Sequence, residues 1–227
     1  FDAFVEGIRR MRAILVSPTG SGKSLIIYCL MRWYIDNYDQ KVLIIVPTTS
    51  LVEQLNNDFK TYGYDNNHLI YSGKDKNTDK KVMISTWQSI HRLPVDWFDQ
   101  FGLVFGDECH GFKAKSLTSI MHKSRQAKYR FGTTGTLDGS QTHELVLQGL
   151  FGKIFKVTTT RKLQDSDTLA QLNISMIMLQ YTSTDKLDFG KKTYQEEIDY
   201  IINNTRRNTF IKNLALDQNG NTLVLFQ

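Results

Sequence analysis

The sequence predicts an α/β fold in which a parallel sheet lies between layers of helices. Short β-rich apolar runs alternate with longer stretches of helical periodicity, a pattern that argues for a sheet covered on both faces. Each apolar run is followed at once by polar, Gly or Thr residues, and a Gly-rich loop joins the first run to the first helical stretch. In open α/β sheets the carboxyl ends of strands form the ligand crevice, so those polar residues mark where chemistry belongs.

In order, the pattern predicts a strand at Ala13–Val16, a helix from Leu25 to Tyr38, a strand at Lys41–Val46 and a helix from Leu51 to Phe59. Further strands are expected at Val82–Ser85, Leu103–Gly106 and Tyr129–Gly132. Past Phe151 the character changes, and the Thr/Lys/Asp/Gln-rich stretch Thr158–Gln171 reads as a connector after a first domain of residues 1–157. Residues 172–227 then begin anew: an alternating strand from Leu172 to Tyr181, a polar helix from Lys191 to Leu216, a turn at Gln218–Asn221 and a strand from Thr222 to Phe226. This reads as the opening of a second α/β domain that the chain does not finish. The segment Phe1–Glu6 lacks the basic and apolar regions of a signal peptide and reads as a chain entered partway through an element.

Composition narrows the class. With 41% hydrophobic and 22% charged residues and three prolines, the chain is neither disordered nor fibrous. Charges interrupt every apolar stretch well before the roughly 18 residues a membrane span needs, so no membrane partner is expected. Cys29 and Cys109 fit no metal-ligand spacing and suggest a reducing compartment without a disulfide. The net charge of +5, clustered at Arg9–Arg12, Lys74–Lys81 and Arg206–Arg207, suits a polyanion and equally a solvated basic face.

Two motifs carry chemistry. Ser17-Pro18-Thr19-Gly20-Ser21-Gly22-Lys23-Ser24 stands between strand and helix, where backbone N–H groups of Thr19 to Ser24 can cradle phosphate. There Lys23 neutralises β/γ charge and the Ser24 hydroxyl binds Mg2+, which implies a nucleoside triphosphate such as ATP. Ser17 takes the place of the motif's leading Gly. Asp107-Glu108-Cys109-His110 follows the apolar run Leu103–Phe105; Asp107 can hold Mg2+ and Glu108 can orient and deprotonate water. Alone the acidic pair would read as solvated carboxylates at a strand end; the phosphate loop upstream reverses that balance. His110 by itself reads equally as a structural histidine.

Five segments in order, Pro18–Ser24, Pro47–Leu55, Ser85–Ser89, Asp107–His110 and Thr134–Thr136, resemble the motifs of superfamily 2 DExH helicases. The runs Ile45–Thr49, Thr86–Gln88, Trp97–Gly102 and Lys192–Glu197 are similar, over nearly the whole chain, to recombination and repair helicases of phages. The resemblance implies a RecA-like P-loop domain followed by the start of a second RecA-like domain, acting on branched or single-stranded DNA in bacterial host cytoplasm. It implies that Pro47, Thr48, Thr49, Ser85, Thr86, Trp87 and Gln88 contact the tracked strand, as hydroxyls and backbone N–H groups position a phosphate backbone without reading sequence. Thr48 reads equally as a helix cap, and Trp87, which could stack on a base, reads more readily as a core residue. Thr134, Gly135 and Thr136, with His110, would couple nucleotide state to domain motion; Gly135 departs from the family's usual Ala. Arg206 and Arg207 do not match the family's catalytic arginines, which are worth about 10³ to 10⁵ in rate, so these residues alone should bind ATP but hydrolyse it poorly. An RNA helicase, a binding module with a degenerate nucleotide site, and the motor of a restriction complex are the competing readings.

Overall fold

A computed structural model describes residues 1–113, 115–137, 140–180 and 193–225. The chain divides into two compact units, Phe1–Gln171 and Leu172–Gln227.

The first unit is built on a seven-stranded sheet in which every neighbouring pair is parallel, in the order β3-β4-β2-β5-β6-β1-β7. Its strands are β1 (Arg12–Val16), β2 (Lys41–Val46), β3 (Asn67–Ile70), β4 (Val82–Thr86), β5 (Phe101–Gly106), β6 (Tyr129–Thr134) and β7 (Lys153–Lys156). The helices are α1 (Asp2–Arg10), α2 (Lys23–Asn37), α3 (Thr49–Thr61), the single turns α4 (Trp87–Ile90) and α5 (Val95–Phe98), α6 (Lys115–Lys123), α7 (Gln141–Phe151) and α8 (Thr160–Asp165).

The central strands are continuous apolar runs because both of their faces are covered. On one face Leu15, Val42, Ile44, Ile84 and Phe105 pack with Ile27, Leu30, Met31 and Tyr34 of α2 and Val52, Leu55 and Phe59 of α3. On the other, Ile14, Leu43, Ile45, Met83 and Val104 pack with Phe98, Ile120, Met121, Leu147 and Phe151. Removing each of these side chains from water stabilises the fold by roughly 1.5–3 kcal/mol, before the entropy of ordering it. Thr48, two residues past β2, is extended, and its side chain accepts a hydrogen bond from the Leu51 N–H at 3.3 Å, which caps α3.

Sequence periodicity misses the two edge strands, β3 and β7, and the helices α1, α6 and α7. The stretch expected to be a connector contains α8, whose cap Thr159 accepts from the Lys162 N–H at 3.3 Å, and the compact unit runs to Gln171.

Among the described residues of the second unit, neither of the two expected strands forms. Leu172–Gln180 and Thr222–Leu225 are without strand pairing, and Leu172, Ile174, Met176, Met178, Leu223 and Leu225 are exposed. An alternating segment becomes a strand only when another strand takes up its backbone groups and a layer covers its apolar side. The single helix expected from Lys191 to Leu216 is two, Tyr194–Asn203 and Thr205–Leu216. Asn204 interrupts it with ψ 99° and caps the second helix by accepting from the Arg207 N–H at 2.9 Å. Thr193 and Glu196 cap the first helix reciprocally. Tyr181, Lys191, Lys192 and Phe226, which also enter those expectations, lie outside the described residues. Among the described residues no helix is long and apolar enough to cross a membrane.

Candidate nucleotide site

The phosphate loop leaves β1 at Val16 and enters α2 at Lys23. Gly20 and Gly22 adopt φ of +79° and +82°, conformations a side chain disfavours, and they turn the loop back over the start of α2. Ser17 is fully buried: its N–H donates to the Thr134 carbonyl at 2.9 Å and its hydroxyl lies 2.6 Å from that of Ser21, which in turn donates to the Pro18 carbonyl at 2.5 Å. The departure from Gly at Ser17 is therefore absorbed by a hydrogen bond across the loop.

Asp107 and Glu108 leave the carboxyl end of β5. The Asp107 N–H extends the β2–β5 pairing to Ile45 O at 2.9 Å, while its Oδ1 accepts from Thr133 Oγ1 at 2.7 Å and from the Glu108 N–H at 3.0 Å. Burial pushes the Asp107 carboxyl above its ordinary pKa, the Thr133 hydrogen bond opposes that, and the Glu108 charge adds to it. Thr133 was not anticipated from the sequence; the only signal is its place beside Thr134 at the end of β6. Glu108 sits at φ +48°, in the left-handed region. Its carboxylate oxygens lie 3.4 Å from Lys23 Nζ and 3.4 Å from His110 Nδ1.

His110 Nδ1 is also 3.0 Å from Thr134 Oγ1, which donates to the Thr136 carbonyl at 2.8 Å. A chain of polar contacts thus runs from Glu108 through His110 to the segment after β6. A Cβ placed on Gly135 would meet Lys23 Nζ at 3.5 Å and the Ser17 carbonyl at 3.8 Å, ordinary van der Waals separations. Gly135 therefore brings the end of β6 against the phosphate loop with space for one methyl.

Thr19, Gly20, Gly22, Lys23, Ser24, Asp107 and Glu108 line a cleft of about 470 Å³, closed on its far side by Leu51, Gln54, Leu55 and Asp58 of α3. That second wall is not evident in the sequence, which offers Leu51–Phe59 only as an amphipathic helix. The donors facing the cleft are hard oxygens, and among the described residues no group of three or more His, Cys, Asp or Glu could hold a metal by itself. This set fits Mg2+ carried in with phosphates, since Mg2+ takes one or two protein oxygens and keeps its other positions for phosphate and water. Beside the loop lies a larger apolar groove of about 760 Å³, lined by Phe1, Phe4, Leu25, Ile26, Cys29 and Val157 among others.

Pairing of Val46 with Thr86 at the ends of β2 and β4 brings the two candidate nucleic-acid segments side by side. Gln88 Nε2 donates to the Pro47 carbonyl at 3.4 Å. Thr48, Thr49 and Gln88 are exposed. Ser85 and Thr86 are buried: the Ser85 hydroxyl donates to Ile70 O at 3.1 Å and to Thr86 O at 2.9 Å, and Thr86 Oγ1 lies 2.9 Å from Ser89 Oγ. Their hydroxyls are engaged within the fold, whereas Thr48, Thr49 and Gln88 stand at the surface and Pro47 is half-buried. Trp87 is half-buried against the second core layer and meets His91 edge-on at 5.5 Å between ring centroids.

Residues 2–139 match the family described as ResIII, type III restriction enzyme, res subunit. Over all of its length the chain is 38% identical to the ATP-dependent DNA helicase uvsW of Enterobacteria phage T4, of which it covers 47%. It is 29% identical, over 63% of its length, to the probable helicase D10 of Escherichia phage T5, of which it covers 30%. The chain therefore spans about half or less of the curated relatives it matches. The crystal structure of the UvsW helicase from bacteriophage T4 superposes with a TM-score of 0.62 at 40% identity, covering 68% of this chain and 57% of that one.

Proposed function

Because the chain belongs to the ResIII family of superfamily 2 helicase domains, with their RecA-like fold, we propose that it is the ATP-binding motor part of a DNA helicase or branch-migration translocase. One observation carries the reading: Lys23, Ser24, Asp107 and Glu108, from the ends of two different strands, line a single cleft at the carboxyl edge of the sheet. In it Lys23 pairs with the β- and γ-phosphates, Ser24 and Asp107 hold the metal, and Glu108 orients the attacking water and accepts its proton. Mg2+, when bound, neutralises charge on the phosphate oxygens. The His110–Thr134 contact carries the state of Glu108 to the segment that follows β6, where movement against a second RecA-like domain begins.

Pro47, Thr48, Thr49 and Gln88 form the track for a DNA backbone, and residues 172–227 open the second domain. Branched or single-stranded DNA in bacterial host cytoplasm is the substrate we assign, on the strength of the similarity to the phage helicase. The test is calorimetric Mg·ATP binding to this chain and to Lys23→Ala, followed by hydrolysis with fork DNA, single-stranded DNA and RNA in a longer chain that includes the second domain. Binding by the wild type, its weakening in Lys23→Ala, and fork-stimulated turnover abolished by Glu108→Gln support the motor. Metal-independent or absent nucleotide binding in both chains sinks it, and stimulation by RNA alone reassigns the polymer.

A further inference from the structure

Ser24 is the second residue of α2, and its hydroxyl has a partner from another element: Ser24 Oγ lies 3.2 Å from the phenol oxygen of Tyr62, the residue that caps the carboxyl end of α3. The backbone of Tyr62 is held on both sides. The Tyr62 N–H donates to the Asp58 carbonyl at 2.9 Å, and Tyr28 donates its hydroxyl to the Tyr62 carbonyl at 2.6 Å. Its ring packs on Tyr28 at 5.1 Å, and Tyr28 meets Phe59 edge-on at 5.5 Å. Tyr62 therefore continues the stripe Leu51, Gln54, Leu55 and Asp58 with which α3 walls the phosphate cleft.

A serine hydroxyl has one hydrogen and two lone pairs. Given to the Tyr62 phenol oxygen, that hydrogen leaves both lone pairs for a cation; without an acceptor the hydroxyl rotates freely. We propose that Tyr62 is a positioning residue for the metal-binding hydroxyl of Ser24, an assignment that rests on the reading of the cleft as a Mg·nucleotide site. Since α3 begins at Thr49, beside Pro47 and Thr48, a single 13-residue helix, about 20 Å long, joins the candidate DNA track to the metal ligand.

The test titrates Mg2+ into the whole chain with the fluorescent nucleotide N-methylanthraniloyl-ADP, and repeats the nucleotide titration in EDTA. Tyr62→Phe keeps the ring and its packing and removes only the phenol oxygen. We expect the Mg2+ concentration at half-saturation to rise about three- to tenfold, the range for one lost hydrogen bond, with nucleotide affinity in EDTA and the melting temperature unchanged. In a Ser24→Ala background the same substitution should do nothing. Superimposable Mg2+ titrations, an equal effect with and without Ser24, tighter Mg2+ binding, or a parallel loss in EDTA each overturn the assignment. If the wild type binds the nucleotide no better with Mg2+ than with EDTA, the cleft reading fails and the assignment falls with it. If only Tyr62→Phe is silent, the cleft reading stands.

Discussion

Replacing Glu108 with Gln should tighten nucleotide binding while removing turnover, and the size of the gain follows from one ion pair. Lys23 Nζ stands 3.4 Å from Glu108 Oε1, with 15% and 32% of the two side chains exposed. An incoming phosphate must draw the ammonium away from that carboxylate. Solvent-exposed pairs contribute about 0.2–1 kcal/mol, a floor for this half-buried one, so neutralising the carboxylate frees Lys23 and improves affinity by at least about 1.4- to 5-fold. Lys23→Ala loses a charge-assisted hydrogen bond of about 1.5–3 kcal/mol, or roughly ten- to 150-fold in affinity. In that background Glu108→Gln relieves only the carboxylate's repulsion of the phosphates, so its gain must be smaller than in the wild type. Calorimetric ATP titration of the four proteins closes the cycle. Weaker binding by Glu108→Gln, or an equal gain in both backgrounds, would refute the reasoning.

Three further outcomes are expected. Gly135→Ala fills space that a methyl already fits and restricts the unfolded chain, so it should stabilise by about 0.4–1 kcal/mol, read as a rise of about 1–4 °C in melting temperature; a fall would show that the space beside Lys23 is taken. Thr133→Val removes the hydroxyl that donates to Asp107 Oδ1 and should cost about 1.5–3 kcal/mol at neutral pH, measured by urea unfolding, with unchanged stability ruling out a structural part for that bond. Asp107 has its folded pKa above the unfolded value, so its contribution to stability is full below the unfolded pKa and is lost as pH rises through the folded one. Asp107→Asn should therefore melt higher than the wild type at pH 7, the advantage shrinking as pH falls into the carboxylate range, while metal-dependent nucleotide binding disappears. A constant difference across that range would contradict the burial argument.

What the sequence made legible was local. β2 and β5 are apolar runs whose length and branching admit few other structures, and the phosphate loop announces itself because its glycines, Lys23 and Ser24 are contiguous. β3 and β7 escaped notice because an edge strand is short and half-covered, leaving too few apolar positions to set a period. Ser85 and Thr86 point inward because they are the last two residues of a strand buried on both faces, a matter of neighbours on either side and not of residue type. Tyr62 and Thr133 were invisible for the opposite reason: their partners, Ser24 and Asp107, are 38 and 26 residues away and meet them only through the order of the sheet. The strands expected in the second unit follow a sound alternation, yet alternation supplies neither a pairing edge nor a covering layer.

Glu108 occupies a backbone conformation, φ +48°, that costs an L-residue other than Asn or Gly about 1–2 kcal/mol. A saturation scan of that one position should therefore return two opposed rankings. Scored by thermal survival, Gly and Asn stand above Glu; scored by turnover in a longer chain, Glu stands alone. A directed-evolution experiment that selects this protein for robustness would erode its chemistry at position 108 first, and a designer transplanting the site must keep a residue that stability alone would discard.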